Sequence, residues 1–353
     1  MDPGNAGAAL PVMADVARLA GVSHQTVSRV LNGSPNVRTE TRERVLAAIR
    51  ELDYRPNTAA RTLVTRRSQT LGVISFDSTL YGPSQMLYGI EQAARSAGYF
   101  ISIASLRYQD IRSVRDAVDR LRDQAVEGIA VIASQASTVA ALAQRIGVVP
   151  MVTVGPTAPG QLPGACVDNG MGAEAAVRYL LDLGHETVHH VAGPSDWLES
   201  NARELGWRRA LEGRGRTVLP ALAGDWSARS GYEAGRRLAQ DPAVSAVFCA
   251  NDHMALGVLR ALHEGRRRVP EDVSVVGFDD IPEAGYLTPP LTTVRQDFGE
   301  LGRRGLQLLL RRIQGRASAA RRGRAAPDAH DGLQMAVVAP ELVLRASSGR
   351  PDT

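Results

Sequence analysis

Ser23-His24-Gln25-Thr26, with Arg29 one turn further on, gathers side chains that can read base edges at the start of a short helix-forming run. Gln bonds adenine through two hydrogen bonds, and Arg does the same with guanine or grips a phosphate. Ser23 is a good N-cap for the run His24 to Asn32. Ahead of it, Ala14 to Ala20 has Val16, Ala17 and Leu19 on one side and is broken by Gly21-Val22. Gly21 supplies the backbone freedom a tight turn needs. Helix, glycine turn, helix is the pattern of a helix-turn-helix, whose second helix enters the major groove. Spacing alone leaves a second reading open, a helical hairpin inside some other small domain. Asn32-Gly33-Ser34-Pro35 makes a turn. Thr39 to Leu52 follows with Val45, Leu46, Ile49 and Leu52 at helical spacing, ended by Asp53-Tyr54-Arg55-Pro56-Asn57.

Catalytic and metal constellations are missing from the rest of the sequence. His189 and His190 are adjacent on an expected strand and so point to opposite faces. Gly193-Pro194-Ser195 lacks the Gly-x-Ser-x-Gly pattern of a nucleophile elbow. We expect no catalytic residues, no metal and no cofactor.

The elements that carry these residues follow from composition and periodicity. In 353 residues there is room for a small module and one large or two medium domains. Aromatic residues are 5% and glycines number 34, a balance that suits an α/β body with many tight turns. Every Lys or Arg position is Arg. The net charge is only +4, yet residues 1–67 hold ten Arg against six Asp and Glu, a bias that fits a phosphate-facing module. Two cysteines, Cys166 and Cys249, argue against a disulfide scaffold and for a reducing compartment. The first residues have no basic stretch leading into an apolar run, and no segment reaches the about 18 apolar residues that span a membrane. A cytoplasmic protein with no membrane partner is expected.

Residues 1–12 read as a disordered tail, 13–57 as the helix-turn-helix domain, and 58–68 as a short helical piece with its linker. From Leu71, strands and helices alternate. Leu71–Ser75, Phe100–Ala104, Gly128–Ala133, Pro150–Val154, Val188–Val191, Ala246–Cys249 and Val273–Gly277 are the expected strands. Helical patterns lie between them, among them Ser84–Ala97, Thr138–Ile146 and Ala202–Glu212, and Leu301–Ile313 comes late. This alternation predicts parallel sheets with helices on both faces, in two similar units. Residues 315–332, rich in Arg, Ala and Gly, read as a flexible loop, followed by a last strand at Leu342–Leu344.

Asp15-Val16-Ala17, Ala20-Gly21-Val22-Ser23, Thr26-Val27-Ser28-Arg29-Val30-Leu31-Asn32 and Tyr54-Arg55-Pro56-Asn57 together resemble the lactose-repressor family of bacterial regulators. That resemblance implies an all-α DNA-binding head on an α/β body of two doubly wound lobes, like periplasmic sugar-binding proteins. It implies operator contacts from Ser23, His24, Gln25, Thr26, Ser28, Arg29 and Asn32, and a hinge helix with Asn57, Ala60 and Leu63 that folds on DNA. Leu63 from two subunits would wedge into the minor groove and kink the duplex. So short a helix does not hold its shape alone, because nucleation is costly. Two departures appear in the head: Val12 stands where a capping Thr or Ser is usual, and Arg38 where a capping Ser is usual, leaving Thr39 to take over.

The resemblance runs on through Tyr81-Gly82-Pro83-Ser84-Gln85, Gly224-Asp225-Trp226-Ser227, Ala250-Asn251-Asp252 and Gly277-Phe278-Asp279-Asp280, where the body is near to the family's namesake. It places a sugar in the cleft between lobes: an N-lobe of about 69–164 and 293–325, and a C-lobe of about 165–292 and 326–349. A pyranose needs planar polar groups for its hydroxyls and an aromatic plate for its C–H face. Arg203, Asn251 and Asp279 are the first, Trp226 the second, all near carboxyl ends of strands where open α/β sheets bind ligands. Matching to the family puts Leu80, Pro83, Met86 and Phe298 on the apolar wall and adds Gln296. Asp279 and Asn251 read equally as helix caps, Arg203 as a surface residue, and Trp226 as lobe core. Gly155 stands where the namesake has a carboxylate, and Glu199 where it has a small hydroxyl, so a different sugar is implied. The expected partners are a palindromic DNA operator, a sugar or glycoside effector and a second copy of the chain. A chain ending at Thr353 without a leucine-heptad tail predicts a dimer. A transport-type sugar-binding protein, or a regulator with a non-sugar ligand or a corepressor, are the alternatives.

Overall fold

The computed structural model describes residues 11–31, 33–55, 67–76, 79–106, 110–132, 135, 149–156, 162–322 and 335–351. The tail through residue 10, Asn32, the hinge positions Asn57, Ala60 and Leu63, the expected helix Thr138–Ile146 and residues 323–334 lie outside the described residues. The chain divides into two units, 1–68 and 69–353.

In the first unit three helices, α1 (Met13–Leu19), α2 (His24–Leu31) and α3 (Thr39–Glu51), close on a small core. Val16, Ala17, Ala20, Val27, Val30, Val45, Ala48 and Tyr54 fill it. Gly21 takes φ +63° between α1 and α2, where a side chain would be strained. Ser23 accepts the Thr26 N–H at 3.2 Å, capping α2 as its residue type predicts. Val12 cannot cap α1, but Asp15 reaches back and accepts the Val12 N–H at 2.9 Å, one arm of a capping box. Helix α3 starts with Arg38 in the cap position and no side-chain cap bond; Thr39 is already inside the first turn.

The second unit holds two parallel sheets. The first has six strands, β1 (Thr70–Phe76), β2 (Phe100–Leu106), β3 (Gly128–Ile132), β4 (Met151–Val154), β5 (Gly164–Val167) and β11 (Met335–Val338), in the order β11-β5-β4-β3-β1-β2. One face buries Leu71, Val73, Ile132, Val152 and Val154 with residues of α4 (Tyr81–Ser96) and α10 (Phe298–Arg321). The other buries Ile74, Ile129 and Val131 with residues of α5 (Ile111–Asp123). The second sheet has four strands, β6 (His189–Ala192), β7 (Leu222–Ala223), β8 (Ala246–Cys249) and β9 (Ser274–Val276), in the order β7-β6-β8-β9. Helices α6 (Asn169–Asp182) and α7 (Leu198–Glu212) share one core with it. Helices α8 (Ala228–Gln240) and α9 (Asp252–Glu264) share the other. An antiparallel ribbon of β10 (Thr293–Arg295) and β12 (Glu341–Val343) lies between the sheets in sequence.

Two expectations change. Residues 335–338 join the first sheet, pairing in parallel with β5, so the lobe boundaries at 164/165 and 325/326 shift. Strand pairing is non-local, and neither short run carried a period of its own. The segment from 315 is helical to Arg321, because Arg316, Ala317 and Ala319 are good helix formers and Gly315 alone does not stop them. His190 is buried, stacked on Phe248 with centroids 5.0 Å apart, and its Nδ1 meets the Phe248 carbonyl at 3.0 Å. Burial pushes its pKa down to about 4, so it is a neutral core residue. No described helix is long and apolar enough to cross a membrane.

Candidate functional site

In the head, packing of Val27 and Val30 inward fixes which side of α2 faces out. Ser23, His24, Gln25 and Arg29 are exposed, and Thr26 and Ser28 are half-buried beside them. The helix therefore presents donors and acceptors along its N-terminal half, the geometry that major-groove readers use.

In the body, a cavity of about 350 Å³ is walled by residues from both sheets' surroundings. Leu80, Pro83 and Met86 come from the start of α4, Arg203 from α7, Trp226 and Asn251 from the segments before α8 and α9, and Asp279 and Gln296 from the turns after β9 and β10. Eight of the nine body residues singled out by sequence thus converge. Phe298 does not line this cavity: it packs in the first lobe's core, edge-on to Tyr81 at 6.1 Å, and borders a more open depression outside. It is the first residue of α10, and its ring follows that helix onto the sheet.

The polar wall is built around a buried ion pair. The guanidinium Nε–H of Arg203 donates to Asn169 Oδ1 at 2.8 Å, and a second N–H donates to the Ala250 carbonyl. A third nitrogen lies 3.4 Å from Asp279 Oδ1, which also accepts the Gln296 amide at 2.7 Å. The guanidinium plane sits 3.8 Å from the Phe278 ring centroid. Burial pushes the Asp279 carboxyl up, and the Arg203 charge and the Gln296 bond pull it back. Asn251 meets both readings offered by its sequence. Its Oδ1 caps α9 by accepting the Met254 N–H at 2.8 Å, while its Nδ2 donates to the Trp226 carbonyl at 3.0 Å.

Trp226 and Asp279 both have left-handed backbones, φ +72° and +111°. Such conformations cost on the order of 1–3 kcal/mol in non-glycine residues and gather at binding sites. Trp226 lies flat over Gly193, where a methyl group would overlap the indole ring. Its indole N–H is buried and has no hydrogen-bond partner among the described residues. Gly155 has φ +122° and does not line the cavity, so no side chain replaces the carboxylate of the family's namesake there.

Sequence reasoning did not single out Tyr81, Trp197 and His253, which line the same cavity. The signal for Trp197 was helical spacing: it caps α7 two residues before Glu199 and six before Arg203. Glu199 is buried, 5% exposed, and faces the cavity rather than solvent. Among the described residues no group of three or more His, Cys, Asp or Glu could hold a metal ion.

Comparison with known proteins gives the same division. Residues 12–57 match the pattern of bacterial regulatory proteins of the lacI family, and residues 177–348 match a periplasmic binding protein-like domain. The chain is 34% identical over 306 residues to the lactose operon repressor of Escherichia coli (strain K12), covering 86% of this chain and 85% of that one. It is 34% identical over 310 residues to the ribose operon repressor of the same organism, covering 86% and 93%. A crystal structure of the lac repressor dimer bound to operator and the anti-inducer ONPF superposes with a TM-score of 0.83 at 31% identity, covering 97% of this chain and all of that chain.

Proposed function

The chain belongs to the lacI family of bacterial regulatory proteins and is a DNA-binding transcriptional repressor; on that premise we propose that a sugar or glycoside in the body's cavity releases it from a palindromic operator. Its relatives are repressors, not catalysts. It works as a homodimer in the cytoplasm, beside its DNA. One head alone would hold a half-site weakly, and two-fold symmetry in the protein asks for two-fold symmetry in the site.

The observation that carries the effector half is the convergence of Arg203, Asp279, Asn251, Gln296 and Trp226 on one cavity. Planar polar groups beside an aromatic plate form the chemistry of hydroxyl-rich rings. Arg203 and Asp279 bond the hydroxyls, Trp226 covers an apolar face, and Leu80, Pro83 and Met86 close the apolar side. In the head, Ser23, His24, Gln25, Thr26, Ser28, Arg29 and Asn32 read the major groove, and Asn57, Ala60 and Leu63 form the hinge contact in the minor groove. Effector binding favours one lobe arrangement over the other, and the hinges of the dimer are ordered in only one of them. That difference in affinity between the two states is what couples the sites.

The test is a gel shift on a palindromic site from upstream of the chain's own gene, titrated with galactosides, glucosides and free hexoses. Release by at least one sugar supports the reading; a complex indifferent to all of them refutes it. Tryptophan quenching on the same titration should vanish in Trp226→Phe, a control needed because the chain has 3 Trp.

A further inference from the structure

Helix α7 turns three side chains into the cavity wall: Trp197 at its cap, then Glu199 and Arg203 one turn apart on the same face. The Trp197 and Trp226 rings are 5.6 Å apart and cross at 68°. The two C–H faces of a single pyranose are back to back and parallel. Plates crossed so steeply cannot both lie flat on one ring. A ligand that uses both carries a second ring set at an angle to the first, as a glycosidic bond sets it. The cavity, about 350 Å³, is in the range that holds ligands larger than a free hexose. The buried Trp226 N–H is a donor only, and ring and glycosidic oxygens are acceptors only.

The charges point the same way. Two carboxylates, Glu199 and Asp279, face the cavity with one guanidinium, Arg203. That guanidinium is already engaged by Asn169, the Ala250 carbonyl and Asp279. A phosphate or carboxylate on the ligand would meet net negative charge in a wall of low dielectric, with His253 as the remaining basic side chain in it. Glu199, an acceptor, suits a hydroxyl donor.

We propose that Trp197 and Glu199 select a neutral sugar carrying a second ring, over a free hexose and over a phosphorylated sugar. This rests on the sugar-effector reading above. The test is calorimetric titration of the full chain with lactose, cellobiose, phenyl β-galactoside, phenyl β-glucoside, galactose, glucose and glucose 6-phosphate. The expected result is that a two-ring ligand binds at least about tenfold tighter than its parent hexose. The disaccharides and the aryl glycosides then say whether the second ring is a sugar or an aglycone. Trp197→Leu should bring that ratio below about threefold, while Trp197→Phe, which keeps a plate and the packing, should retain most of it. Glu199→Gln should narrow the gap between neutral sugars and glucose 6-phosphate by about tenfold. A hexose that binds as tightly as its glycosides, or a ratio unmoved in Trp197→Leu, overturns the proposal and leaves the sugar reading standing. Binding by none of the seven overturns the sugar reading itself.

Discussion

Arg203 and Asp279 show how far single side chains can be pushed by burial. At 4% and 7% exposure the pair is held by hydrogen bonds on every side rather than by Coulomb attraction alone. Removing one partner leaves a buried charge uncompensated, which costs about 3–5 kcal/mol. Asp279→Ala should therefore lower stability in urea by that amount, and the double variant Asp279→Leu with Arg203→Met should recover much of it while abolishing effector binding. Asp252, fully buried behind the cavity, is a second case. It accepts the Ile281 N–H at 2.9 Å and the Thr293 hydroxyl at 2.6 Å. Burial first, then the Asp279 charge, pushes its pKa up from 3.8 to about 8. The folded protein thus holds a proton that the unfolded chain gives up, and stability must fall as pH rises between those values. Urea midpoints measured at pH 6 and pH 8.5 should show the loss in the parent and a flatter response in Asp252→Asn.

Helices bring these side chains together, and their ends and crossings set the tolerances. Val12 has the extended backbone of an N-cap, φ −110° and ψ 165°, but no oxygen to offer. Val12→Thr should raise the head's stability by about 1 kcal/mol, read as an increase in the melting temperature of residues 1–68 within the full chain by hydrogen exchange. Helices α8 and α9 cross so closely that a methyl on Gly257 would overlap the Ala228 carbonyl. Gly257→Ala should destabilise by about 1–3 kcal/mol through overpacking. Because Asn251 caps α9 and also holds the Trp226 backbone, the same variant should weaken effector binding without touching the cavity.

At the scale of the molecule the question is how a cavity speaks to DNA. Gln135, after β3 of the first sheet, pairs with Trp197 of the second lobe and donates to Asp196 at 2.6 Å. This tie crosses from one lobe to the other beside the proposed second-ring plate. Loss of one net hydrogen bond, about 0.5–1.5 kcal/mol, predicts that Asp196→Ala shifts the effector concentration for half-release of operator about two- to tenfold. On the DNA side, Leu63→Ala should reduce specific operator binding far more than nonspecific binding, measured by gel shift with and without competitor; equal losses would reject the wedge.

The sequence by itself determined the head and the strand–helix alternation. Those signals are local: a cap at Ser23, a turn at Gly21, apolar spacing along α3, strands such as Ala246–Cys249 met at their expected bounds. Arg203, Asn251, Asp279 and Trp226 were legible only through a motif resemblance, since nothing in their spacing brings them together. Tertiary structure alone decided that β11 returns to the first sheet, that Phe298 turns into a core, and that Trp197 and Glu199 join the cavity. Those outcomes depend on which distant surfaces meet. Pairing between strands and packing between helices are set by the whole chain's burial of apolar surface, and no short window of sequence records them.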